Sequence, residues 1–106
     1  MKFELNIPCI YDEAAQSSEG WVRVNLNGKC GFIDKTGKKI TPFIYDETEE
    51  FFDGLAGVCL NDRWGVIDKT GKEIIPCIYN GRIDFSNDLA VVCLKSKWGF
   101  LANVDD

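Results

Sequence analysis

The chain has 106 residues, 45% of them hydrophobic and 27% charged, which is enough apolar material for one core and too ordinary a composition for a disordered or low-complexity segment. A formal net charge of −5 opposes direct contact with a nucleic-acid backbone, and the absence of histidine removes the residue most used in acid–base catalysis. Met1-Lys2-Phe3-Glu4-Leu5-Asn6 interrupts the apolar run of a secretory signal and no later stretch has the length of a membrane span, so the expectation is a cytoplasmic protein with no membrane partner.

The first recognisable element is Pro8-Cys9-Ile10-Tyr11-Asp12, which returns as Pro42-Phe43-Ile44-Tyr45-Asp46 and as Pro76-Cys77-Ile78-Tyr79-Asn80, a period of 34 residues. Next, Trp21-Val22-Arg23-Val24-Asn25-Leu26 alternates apolar and polar positions as a half-buried strand does. Asn27-Gly28 then favours a type I′ hairpin turn, because both central positions need positive φ, and the second strand runs from Cys30 towards Asp34. Asp34-Lys35-Thr36-Gly37 predicts an Asx-type turn and recurs as Asp68-Lys69-Thr70-Gly71. Ile40 and Ile74 each open a third strand. The proline two residues later cannot donate to a ladder, which places it at a sheet edge or at the end of pairing.

Residues 47–54 are the least regular and read as one helical turn or an irregular loop crossing to the next repeat. A second repeated mark follows: Trp64-Gly65-Val66-Ile67 recurs as Trp98-Gly99-Phe100-Leu101 and is foreshadowed by Cys30-Gly31-Phe32-Ile33. Leu89-Ala90-Val91-Val92-Cys93-Leu94 is apolar at successive positions, the pattern of a strand buried on both faces. No window sustains a period of 3.6, so helix content should be low. The fold class is therefore all-β, in tandem antiparallel three-stranded hairpin repeats that form a curled sheet array. The chain divides into a half repeat at 1–20, repeats at 21–54 and 55–88, and a partial repeat at 89–106. The first unit has a proline–tyrosine segment without a preceding Trp-Gly strand and the last has the reverse, so the array either closes on itself, removing its exposed edges, or stays open and twisted.

Five cysteines, an odd number without C-x-x-C spacing, include two repeat-equivalent pairs, Cys9 with Cys77 and Cys59 with Cys93. They read as small core hydrophobes, with a disulfide between Cys59 and Cys93 as the minor alternative, and they imply neither a metal nor a cofactor. Trp64 and Trp98 are read first as rings buried between units, each glycine that follows admitting a neighbouring backbone or ring. The other reading is an exposed aromatic ledge for a sugar or peptide.

Arg63-Trp64-Gly65-Val66-Ile67-Asp68 with Lys69-Thr70-Gly71-Lys72, Lys97-Trp98-Gly99-Phe100, and Tyr45-Asp46 with Phe51 and Gly54 resemble the units of the WG repeat family, and the resemblance covers nearly the whole chain. It implies tandem β-hairpins, a mostly bacterial distribution and a non-catalytic interaction module. Cys30 stands where the first tryptophan would, and Ala102-Asn103-Val104-Asp105 replaces the last turn, so the end units look like degenerate caps.

Asp46, Glu47, Glu49, Glu50 and Asp53 put five acids in eight residues, with Phe51 and Phe52 among them. Lysines instead gather at the turns (Lys35, Lys38, Lys39, Lys69, Lys72), so a molecule whose turns and connectors project from opposite ends would be electrically two-sided. An aromatic anchor ringed by acids fits a docking site for a protein with a basic surface, and these seven residues are the candidate contact. Size and charge further suit an inhibitor, of anti-defence or immunity type, that occupies the basic channel of a nucleic-acid enzyme. The alternative is a carbohydrate or cell-surface module working through Trp64 and Trp98. Asp34 and Asp68 are accounted for by turn geometry, and no motif points to a catalytic residue.

Overall fold

The computed structural model describes residues 1–3, 10–16, 20–86 and 88–104; Pro8 and Cys9 of the first repeated segment lie outside them. The described residues form ten strands in three antiparallel sheets, without an α-helix. The first sheet holds β1 (Glu13–Gln16), β2 (Val22–Leu26) and β3 (Lys29–Ile33). The second holds β4 (Glu47–Thr48), β5 (Leu55–Leu60), β6 (Arg63–Asp68) and β7 (Glu73–Tyr79). The third holds β8 (Asp84–Ser86), β9 (Leu89–Leu94) and β10 (Lys97–Ala102).

Each sheet is centred on one hairpin. The Asn27-Gly28 turn has φ of 54° and 80°, as its residue types predict, and joins β2 to β3. The equivalent turns adopt the same left-handed pair without glycine, at Asn61 (53°) with Asp62 (63°) and at Lys95 (52°) with Ser96 (64°). After each of the first two hairpins the predicted Asx turn closes: Asp34 Oδ1 accepts Thr36 N (2.9 Å), Thr36 Oγ1 (2.6 Å) and Lys38 N (3.0 Å). Asp68 does the same with Thr70 and Lys72.

The proline segment follows, and in the second sheet it is β7, an edge strand that carries Pro76. Its register against β6 slips between Trp64 and Val66. Gly65 lies at that slip, where a Cβ would collide with the carbonyl oxygen of Ile75 and come within 2.8 Å of Cys77 N. In the first unit the same segment meets β3 through the bridges Ile33↔Lys39 and Cys30↔Tyr45 and through Thr41, whose Oγ1 accepts Phe32 N at 3.0 Å, and the Phe43 ring rather than backbone lies over Gly31.

Residues 47–54 form no helical turn, and the irregular segment is pinned to the edge of β5. Glu47 and Thr48 pair with Cys59 and Val58 as β4, Glu49 N continues to Gly57 O at 2.8 Å, and Phe52 and Leu55 exchange backbone hydrogen bonds across an Asp53-Gly54 turn. A helix here would set Asp46 against Glu49 and Glu50, and Glu49 against Asp53, at repelling spacings. The edge of β5 offers the backbone other partners, and Gly57 leaves room for the Glu49 side chain to pass.

The cores lie between sheets. Phe32, Tyr45, Phe51, Ala56, Val58 and Ile67 form one, between the first and second units. Cys59, Trp64, Val66, Ile83, Ala90 and Val92 form the other, between the second and third. Successive residues of β5 thus serve different interiors, Val58 one and Cys59 the other, and β5 and β6 are the strands buried on both faces. The expectation placed that role on β9, which alternates instead: Ala90 and Val92 are buried while Leu89 and Val91 are exposed, because no further sheet covers its outer side among the described residues. Among the described residues the array is open, with β1 and β10 in different sheets of a molecule measuring 49 × 32 × 18 Å.

Candidate partner-binding surface

Asp46 is held from three directions. Its N–H donates to Cys59 O (2.8 Å), its Oδ2 accepts Asn61 N (2.9 Å) and its Oδ1 accepts Lys29 Nζ (2.5 Å). The hydrogen bond from Lys29, reinforced by the one from Asn61, pulls its carboxyl below the usual range. The same clamp recurs in the other units: Asp12 N donates to Asn25 O and its Oδ2 accepts Asn27 N (2.7 Å), while Asn80 N donates to Cys93 O and its Oδ1 accepts Lys95 N (2.8 Å). The residue after each repeated tyrosine therefore ties the connector to the tip of the following hairpin, and Asp46 is structural before it is anything else.

The remaining six candidates separate. Glu47 is exposed and lines a polar recess of about 280 Å³ with Arg23, Asn25, Cys30 and Arg82. Glu49 is half-buried, 3.7 Å from Arg82 Nε, and Glu50 is exposed. Phe51 is only 2% exposed, its ring 4.9 Å from Phe32 and 5.5 Å from Trp21. It is a core residue and leaves the contact surface. Strand alternation explains the split, since β4 and its extension send neighbouring side chains to opposite sides. Nor is the charge two-sided at this point, because Lys29 and Arg82 stand among the acids.

Phe52 is 62% exposed and Asp53 sits beside it in the turn, at φ 55°. Both border a groove of about 670 Å³ whose floor includes Leu55, Ile74, Phe85, Leu89 and Leu101. The Phe52 and Phe85 rings face each other at 6.5 Å between centroids. Asp68 and Asp88 join Asp53 along the groove, and the Thr70 hydroxyl bonded to Asp68 keeps that carboxyl ionised well into acid. The sequence reading missed this groove. Phe85 was open to it, being the residue 34 positions after Phe51, but nothing local shows that Ile74 and Leu89 converge on Phe52.

The two tryptophans of the Trp-Gly mark behave differently. Trp64 is 7% exposed, with the Arg82 guanidinium 5.5 Å from its ring centroid, whereas Trp98 is 72% exposed. Cys30, Cys59, Cys77 and Cys93 are free thiols. Burial raises Cys30 and Cys59, and burial beside the Glu73 carboxylate pushes Cys77 up to about 12, so these three stay protonated at neutral pH.

Three successive stretches, residues 1–30, 31–64 and 64–98, match the WG containing repeat. The chain belongs to the WG repeat family. No curated protein and no solved structure matches it. In this WG repeat chain the family's namesake pair has a mechanical meaning at Trp64-Gly65: the ring fills one interior while the glycine admits the backbone of residues 75–77 on the other side of the strand.

Proposed function

We infer that this WG repeat protein is a non-catalytic interaction module that holds a basic, apolar segment of a partner protein in the groove bordered by Phe52 and Phe85. The observation that carries the reading is an exposed aromatic ring beside an apolar floor with aspartates at Asp53, Asp68 and Asp88. Apolar burial supplies affinity there, and the carboxylates select positive charge and speed encounter. Glu47, Glu49 and Glu50 extend the acidic field rather than the contact. A net charge of −5 further suits a partner that is a basic nucleic-acid enzyme, with this chain as its cytoplasmic inhibitor of anti-defence or immunity type.

The test is selection of a displayed random peptide library on the intact chain, with counter-selection on Phe52→Ala. Peptides with lysine or arginine flanking an apolar residue should be enriched, and their binding should weaken as salt rises. Binders that ignore Phe52, or that are acidic, would remove the groove from consideration. One observation favours a second reading, a carbohydrate module: Trp98 offers an exposed ring. A glycan array would support it through a signal lost in Trp98→Ala.

A further inference from the structure

The third hairpin exposes, position for position, the surface that the second buries. Trp98 and Phe100 are 72% and 69% exposed, whereas their equivalents 34 residues earlier, Trp64 and Val66, are 7% and 0% exposed. Leu89 and Val91 lie on the same outer face, since Val91 is registered opposite Phe100 and Cys93 opposite Trp98. β10 pairs with β9 alone among the described residues, and nothing lies within 4 Å of where a Gly99 Cβ would be.

Within the chain the covering of such a hairpin follows one rule. The proline segment pairs beside the Trp-Gly strand, with Tyr79 opposite Trp64 and Ile75 opposite Val66, and its continuation at Asn80 clamps the next hairpin. Ile7-Pro8-Cys9-Ile10-Tyr11 is identical in sequence to Ile75-Pro76-Cys77-Ile78-Tyr79. Its continuation already has the downstream half of the arrangement, Asp12 clamping the turn at Asn27 and β1 pairing with β2.

We propose that the outer face and open edge of the β9–β10 sheet bind a second copy of this chain, whose Ile10-Tyr11 segment pairs beside β10 and whose first sheet stacks on Trp98 and Phe100. Tyr11 of one copy then stands opposite Trp98 of the other, as Tyr79 stands to Trp64. The open space at Gly99 receives the arriving backbone as Gly65 receives that of residues 75–77. Strand addition at an edge supplies directional hydrogen bonds, and the apolar face supplies burial. The contact joins unlike surfaces, so it propagates head to tail rather than closing a two-fold dimer.

Sedimentation velocity of the 106-residue chain over a concentration series, with iodide quenching of tryptophan at each concentration, tests this. Sedimentation coefficients should rise with concentration while Trp98 becomes shielded. A Cβ at Gly99 has no atom within 4 Å in the isolated fold, so the circular dichroism and melting of Gly99→Val should match the unaltered chain while association weakens by roughly tenfold or more. A synthetic peptide of residues 1–12 should dissolve the assemblies and itself shield Trp98. A single monomer with Trp98 quenchable at every concentration, association unweakened in Gly99→Val, or assemblies indifferent to excess peptide would each overturn the proposal.

Discussion

The Asp46 carboxylate accepts the backbone N–H of Asn61 at 2.9 Å, tying the end of one connector to the tip of the hairpin that follows it. Asp12 and Asn80 make the same bond to Asn27 and Lys95, so an amide oxygen performs the task as well as a carboxylate. A turn amide that would otherwise be left to solvent is satisfied, and the hairpin's angle to its connector is set.

Asp46→Asn should therefore keep most of the stability of the chain, losing chiefly the pair with Lys29, while Asp46→Ala should show a clearly lower urea midpoint. Equal midpoints for the two variants would mean that the clamp carries no weight.

Adjacent phenylalanines should give opposite results. Phe51→Ala empties a site between Phe32 and Trp21 and should cost about 3–5 kcal/mol, whereas Phe52→Ala should stay within about 0.5 kcal/mol and act on partner binding instead. Chemical denaturation of both variants checks the contrast.

Glycines at equivalent positions should differ in how they tolerate a methyl group. Gly65→Ala meets the backbone of Ile75 and Cys77, which cannot turn aside, and should cost roughly 1–3 kcal/mol. Gly31→Ala meets mainly the Phe43 ring, a half-buried side chain that can swing away, and should cost less. Thermal melts rank the two; a Gly31→Ala penalty above that of Gly65→Ala would contradict the packing described.

Acid should unfold the chain through its turn aspartates. Asp34, Asp46 and Asp68 all titrate below the ordinary carboxylate range, through hydrogen bonds from Thr36, Lys29 and Thr70 respectively. Because the folded values are the lower ones, their contribution is present above the unfolded value of about 3.9 and disappears as pH falls through the folded values. Urea midpoints should thus drop between about pH 5 and pH 2, and Asp68→Asn should flatten that decline.

Much of the fold was legible because its rules are local. The Asn27-Gly28 turn, the Asp34 and Asp68 turns and the edge position of Pro76 follow from what single residues permit in φ or donate in hydrogen bonds. What failed depended on neighbours distant in sequence. β9 looked buried on both faces from composition alone, yet among the described residues only the middle hairpin has a sheet on either side. Residues 47–54 had no internal pattern because the edge of β5 supplies it. The acidic run read as one surface because charge density ignores strand alternation, which sends Phe51 inward and Phe52 to the groove.

The sharing of β5 between two interiors bears on how the molecule comes apart. Either terminal hairpin can peel away and dissolve one interior only, whereas the central one cannot loosen without dissolving both. Amide exchange should accordingly be slowest across residues 55–68 and should quicken outward in both directions, so that the chain is most durable at its middle and most yielding at its rims.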